Sequence, residues 1–278
     1  MEDIDLVQWL LRLRIWMDQK RRRGRLDSLR FNQPPYGDAY VTLDATSTSP
    51  AASFNENRVY LCGAQGGLRP QGIDRLIRLF EDRKIAPFFV WLSPGPGLTE
   101  VCSWLDAAGF SKVLWTRYPT LAATNSPLLR KAATDLQIRE VDPQCVRQAR
   151  DVLGEHLWSD YAETAGEPGF RHLMAFDGAR PVATAVLVVF EGIGYLTFAS
   201  TDPIARGRGA QQALIERRLD EAWRAGCRLA VSETLTMLPH SMSNLQRFGF
   251  VEIFDKLVYG WGTCTASASV RLSKSSVP

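Results

Sequence analysis

Histidine is scarce in this 278-residue chain, with three in all, and cysteine is sparse, with five, at positions 62, 102, 145, 227 and 264. No two cysteines form a CxxC pair and their number is odd, so neither a disulfide framework nor a zinc cluster is indicated, and no metal is expected. No uninterrupted apolar run approaches the roughly 20 residues that a bilayer crossing needs, and the acidic start MEDID is unlike the basic leader of a signal peptide. The expectation is a cytoplasmic protein with no membrane span. An excess of charge is lacking too: the net charge of +3 is too slight to argue by itself for nucleic acid as a partner.

What is present is a hydrophobic fraction of 45% in a chain long enough for two domains with full cores. Leu6, Trp9, Leu10, Leu13, Trp16 and Met17 recur at helical spacing, so an amphipathic helix opens the chain and must bury that stripe. The basic run at 20–25, KRRRGR, follows directly. It is either a solvated end to a core-packed helix or an arm for RNA or a membrane surface. Residues 32–56 are rich in Pro, Ser, Thr, Asn and Gly, with one strand expected at 39–43. From 57 on, the pattern reads strand, helix (Ile73, Leu76, Ile77, Phe80), strand at 86–92, helix (Val101, Trp104, Leu105, Ala108) and the pair Gly109-Phe110.

The same series returns about 140 residues later, ending on Gly249-Phe250, and the sequels FSKVLWTRY and FVEIFDKLVY are alike. A duplicated domain is the simplest reading. Residues 1–125 then form the first domain, 126–135 an Ala, Thr, Ser and Pro-rich linker, 136–262 the second domain, and 263–278 a loose polar tail. The second domain adds a strand at 136–141, a helix carrying Val146, Ala149, Val152, Leu153 and Leu157, and a hairpin about Asp177-Gly178.

The densest chemistry lies at 195–223. A strand rich in β-branched and aromatic residues ends at Asp202-Pro203, and a helix bearing Ile215, Leu219, Ala222 and Trp223 begins after Arg206, Gly207, Arg208 and Gly209. Glycines let the backbone curl round an anion, and a helix N-terminus offers unpaired amides and partial positive charge, so the turn suits a phosphate or diphosphate. An ordinary solvated connection is the alternative for an isolated RGxG.

In this setting the turn resembles motif A, Q/R-x-x-G-x-G/A, of the GCN5-related N-acetyltransferase (GNAT) superfamily, with Arg206, Gly209 and Gln211 in its first, fourth and sixth places. The resemblance implies an α/β fold (an α+β mixed sheet) in two tandem GNAT-like domains, each a central mixed sheet flanked by helices. It covers residues 136–261 and, more weakly, 30–125, where Gly66, Gly67, Leu68, Arg69 and Pro70 replace the RGxG turn. The first copy is thus expected to have lost its cradle. The resemblance also implies acetyl-CoA as cofactor, its diphosphate on amides of Gly207, Arg208, Gly209, Ala210, Gln211 and Gln212 and its pantetheine arm against Ala199, Ser200 and Thr201. Asn244 takes the place of a polar residue holding the pantetheine or adenine end, or else caps its helix. Gln211 is larger than the usual residue there and either crowds the phosphate or adds a donor.

Direct attack of an amine on a thioester needs a base, since a lysine-like amine has a pKa near 10.4. Glu233, on the strand after the cradle helix, is either that base or a solvent-facing strand end. His156, Trp158, Asp160 and Tyr161 are candidates to touch the acceptor, and His240 lies in the loop before the last helix. The family often places a thiolate-protonating tyrosine four residues before the glycine of the GF pair; here that place holds Leu245, leaving Ser241, Ser243, water or no acid. The reaction implied is transfer of an acetyl group from acetyl-CoA to a small-molecule or peptide amine. The alternative is a non-catalytic acyl-CoA-binding regulatory or interaction protein.

Overall fold

A computed structural model describes residues 5–21, 27–47, 50–124, 131–153 and 161–262. Residues 22–25 of the basic run, 126–130 of the expected linker, His156, Trp158, Asp160 and the tail from 263 lie outside the described residues. The described chain divides into two compact units. One, unit 1, runs to Tyr118 and resumes at Asp255; the other, unit 2, is Pro119–Phe254.

In unit 1 the N-terminal stripe forms α1 (Leu6–Arg21), with Trp9, Leu10, Leu13 and Met17 buried. Arg21 closes the helix buried beside Asp18. Next come β1 (Asp27–Gln33), β2 (Gly37–Leu43), α2 (Pro50–Glu56), β3 (Arg58–Cys62), α3 (Pro70–Glu81), β4 (Phe88–Ser93) and α4 (Leu98–Ala107). Then β5 (Ser111–Thr124) carries the chain from unit 1 into unit 2. The strand order here is β1-β2-β3-β4, completed beyond β4 by residues 257–261 of the last strand, β11 (Val251–Trp261), which pair antiparallel with 88–92.

Each face of this sheet meets its own layer. Val41, Val59, Leu61, Val90 and Leu92 pack with Ile73, Leu76, Phe80 and Leu105 of α3 and α4. Tyr40, Tyr60, Phe89 and Trp91 form the other face with Leu11 of α1. Sequence pattern alone places one strand in the polar stretch before residue 57. The structure adds β1, whose side chains are mostly exposed and which is held by its antiparallel ladder to β2 rather than by burial. It also adds α2.

Unit 2 continues with β6 (Gln137–Glu140), a short 3₁₀ turn, α5 (Arg150–Leu153), β7 (Phe170–Asp177), β8 (Arg180–Phe190), β9 (Ile193–Thr201), α6 (Ala210–Arg224), β10 (Leu229–Glu233) and α7 (Pro239–Arg247), and β11 then leads out of it. The order is β5-β10-β9-β8-β7-β6. Among the described pairings of this unit only β9 with β10 is parallel, as a strand–helix–strand crossover through α6 requires. Leu173, Ala175, Ala183, Ala185 and Leu187 pack toward Leu214, Ile215 and Leu219 of α6. These small and branched residues let the helix approach closely.

Both units therefore contain mixed sheets flanked by helices, and both carry the succession strand, helix, parallel strand, helix, strand: β3 to β5 and β9 to β11. The compact units divide differently from the ranges read off the sequence, because β5 ends in unit 2 and β11 ends in unit 1.

Candidate functional site

Two features of unit 2 set apart the second half of β9. Parallel pairing of β9 with β10 runs from Ile193/Leu229 to Leu196/Ser232 and stops, while β9 continues to Thr201. At the same point β9 bulges: Thr184 faces Ser200 and Val186 faces Thr197, so Ala185 opposes both Phe198 and Ala199, and Phe198 takes a φ of 49°. Ladder pairing between β9 and β10 ends there. Ser232 Oγ donates to the Leu196 carbonyl at 3.0 Å at the last pair.

Beyond β9, Asp202 caps the turn by accepting from Ile204 N at 3.0 Å. Gly207 and Gly209 then adopt φ of 79° and 78° and lead into α6. Among the described residues, no backbone carbonyl accepts from the amides of residues 207–212. The start of a 15-residue helix thus presents its unsatisfied donors next to the unpaired end of β9.

The side chains around this turn are engaged within the unit. Arg208 donates to both Asp135 and Asp177, each at 2.5 Å, and its guanidinium holds both carboxyls below the usual carboxylate range. This arginine side chain pins the segment before β6 and the β7–β8 turn and so brackets the loop, which leaves its main-chain amide as the group expected at an anion. Gln211 Nε2 donates to the Ser200 carbonyl at 2.9 Å and to Thr201 Oγ1 at 2.8 Å, so its donor is engaged at the end of β9. Ser200 is buried and its hydroxyl donates to Val152 O, which leaves Ala199 as the exposed residue of the 199–201 segment. Arg206 is exposed and Ala210 buried under the helix start. Gln212 and Asn244 come together, Nε2 to Oδ1 at 3.3 Å, so α7 reaches the first turn of α6.

Glu233 ends β10 just past the last β9–β10 pair. Its Oε2 accepts from Tyr195 OH at 2.7 Å and its Oε1 from Thr120 Oγ1 at 3.3 Å. Strand alternation puts all three on the face of the sheet opposite α6. Tyr195 is only 2% exposed. Sequence pattern marks Tyr195 only as the start of a strand; the partnership depends on register, which no local pattern encodes.

The same face carries His172, 1% exposed, with Thr164 Oγ1 at 3.2 Å from its Nε2 and Tyr161 edge-on at 4.5 Å. Burial lowers the His172 pKa from 6.5 to about 4 and pushes the Tyr161 hydroxyl up. Tyr161 is therefore part of a buried packing pair rather than an exposed acceptor contact. His240 is exposed at the start of α7, and Leu245 is buried in the α6–α7 core with Ile215, Phe248 and Phe250.

Arg218 stands among the charged residues Glu216, Arg217, Asp220 and Glu221 of α6. The structure turns it inward, 2% exposed, with Nε on the Leu214 carbonyl at 3.0 Å and Nη1 on the Val186 and Thr197 carbonyls at 3.4 Å each. Burial lowers its pKa to about 9, which leaves it charged at neutral pH. No group of three or more His, Cys, Asp or Glu side chains suited to a metal occurs among the described residues, and no described helix is long and apolar enough to cross a membrane.

The sequence matches no family model and no curated protein. Its fold does have relatives among solved structures. A GCN5-related N-acetyltransferase from Kribbella flavida superposes with a TM-score of 0.67 at 16% identity, covering 94% of this chain and 96% of that one. The chain has the GNAT fold. A GCN5-related N-acetyltransferase from Sphaerobacter thermophilus gives a TM-score of 0.56 at 13% identity over 80% of each chain. A functionally unknown conserved protein from Staphylococcus epidermidis gives 0.57 at 11% identity, over 86% of this chain and 95% of that one. At these identities the likeness is one of GNAT architecture, extending over both units.

Proposed function

We propose that unit 2 is an acyl-CoA-dependent N-acyltransferase that moves an acetyl group from acetyl-CoA to the primary amine of a small molecule or peptide. The observation that carries this reading is the row of amides at 207–212, which no carbonyl among the described residues engages, beside the point where the β9–β10 pairing ends. Such a row fits a diphosphate, and a gap between parted strands fits an extended amide-bearing chain. Gly207, Arg208, Gly209, Ala210, Gln211 and Gln212 would hold the diphosphate through main-chain donors, Ala199 would meet the pantetheine arm, and Asn244 would border it beside Gln212. The cofactor supplies an activated thioester.

The chain's own residues then have definable tasks. Glu233 takes the proton of the attacking amine, directly or through one water, since it borders the closed end of the gap. Tyr195 and Thr120 hold its carboxylate in place. Orientation within the gap does the remainder, because amine attack on a thioester needs alignment more than activation.

Unit 1 fits the reading of a second, degenerate copy. The turn before α3 also has left-handed glycines, Gly66 and Gly67, but Pro35 O accepts from Arg69 N at 2.9 Å, and a Cβ at Gly72 would meet Pro35 O at 2.1 Å. One amide at this helix start is thus engaged by the unit's own chain, unlike those at 207–212.

Leu245, buried where the family often has an acid, favours a second reading, a protein that binds acyl-CoA without turning it over. Calorimetric titration with acetyl-CoA followed by thiol release with a panel of amines decides between them. Binding with amine-dependent release is expected; binding without release supports the second reading, and no binding rejects both.

A further inference from the structure

Arg218 is a charge buried in unit 2 whose described partners are all main-chain carbonyls, and its position is not accidental to the gap. A single nitrogen, Nη1, reaches the carbonyls of Val186 on β8 and Thr197 on β9, so both carbonyls turn into the space between those strands. A trans peptide directs its C=O and N–H to opposite sides. The Phe198 N–H therefore faces the other side of β9, where its pairing with β10 has ended. Thr197 immediately follows Leu196, the last residue paired with β10, so this is the closed end of the gap, as far as an inserted chain can reach.

We propose that Arg218 is a positioning residue for acyl transfer, fixing the Thr197–Phe198 peptide and supplying a fixed positive charge beneath the reacting thioester. The inference rests on the acyl-CoA reading of the same unit. In the step concerned, the amine nitrogen forms a bond to the acyl carbon, its proton passes to Glu233, and the carbon–sulfur bond breaks with its electron pair going to sulfur. That sulfur then carries negative charge, and the sequence position where the family often has an acid holds Leu245, which offers no proton. A preorganised cation in a water-poor sheet stabilises such charge more than it would in water.

The surrounding charges do not cancel it. Glu221, one turn along α6, is held by Arg171 of β7 and by Arg217 and Arg224 of its own helix. β8 and β9 present only carbonyls to the guanidinium, and Glu233 of β10 lies on the opposite face of the sheet.

The test is the acidity of the CoA thiol when bound, followed through the ultraviolet absorbance of the thiolate as pH is raised, in the wild type, Arg218→Lys and Arg218→Met. In the wild type the bound thiol should titrate about one pH unit or more below free CoA, and in Arg218→Met about tenfold of that acidity should be lost. Arg218→Lys should fall between, keeping the charge without the paired carbonyl contacts. Turnover with acetyl-CoA and an amine should fall on the order of 10²-fold in Arg218→Met, with KM for acetyl-CoA within about threefold. A wild-type bound thiol that titrates as in free CoA overturns the inference, whether or not the variants fold. So does a folded Arg218→Met with an unchanged thiol. Failure of the wild type to bind CoA at all overturns the acyl-CoA reading itself and this inference with it.

Discussion

Single residues in unit 2 owe their roles to what lies across the sheet. Glu233 takes hydrogen bonds from Tyr195 and Thr120 on two different strands, so its carboxylate is aimed by the register of β5, β9 and β10. Glu233→Gln should lower turnover at neutral pH on the order of 10²-fold, with partial recovery as rising pH deprotonates the amine itself. A pH–rate profile that keeps its shape in the variant would remove Glu233 from the mechanism. His172 gives a separate prediction, on stability. Its folded pKa is about 4 against an ordinary 6.5, so the unfolded chain takes up a proton that the folded chain refuses, and stability present above 6.5 is lost as pH falls toward 4. His172→Gln has no such proton to refuse. Its urea midpoint should fall less between about pH 7 and about pH 4.5 than that of the wild type, and equal falls would contradict the burial account. Glu233 was legible as a strand-end acid in a suggestive place, whereas Arg218 was not legible as a buried group. Charged residues on an amphipathic helix ordinarily face water, and carbonyls that can satisfy a guanidinium leave no mark in the sequence.

At the scale of elements, the turn between β9 and α6 separates two glycines that look equivalent. A Cβ on Gly207 would meet nothing within 4 Å, whereas one on Gly209 would meet Ala133 O at 2.2 Å. Gly207→Ala should therefore cost only the strain of a left-handed alanine, about 1–2 kcal/mol, and leave a cooperative fold in which weakened acetyl-CoA binding reports on the cradle. Gly209→Ala forces the segment before β6 to move and should lower Tm by clearly more. Equal Tm losses in the two variants would contradict this geometry. Periodicity made α1, α3 and α6 plain, because each buries an apolar stripe, and the alternation of β7 and β8 was equally readable. β1 escaped, since an edge strand carrying Asp27, Ser28, Arg30, Asn32 and Gln33 is held by its ladder and buries little.

For the molecule as a whole, the succession of elements was readable and the matter of which strand completes which unit was not. The repeat places β5 with the first series and β11 with the second, yet residues 120–124 of β5 pair with β10 in unit 2 and residues 257–261 of β11 pair with β4 in unit 1. Partner choice is non-local, and both strands have the apolar, β-branched character that either sheet accepts. A fragment of residues 126–262 would lack Thr120 and expose the β10 edge, so it should aggregate or unfold without a cooperative transition. A soluble fragment of that range with full acetyl-CoA affinity would contradict the pairing. The most direct test of the central claim is hydrogen–deuterium exchange of the intact chain with and without acetyl-CoA. Slowed exchange centred on amides 207–212 is the result the account requires, and saturable binding that leaves those amides exchanging as before would contradict it.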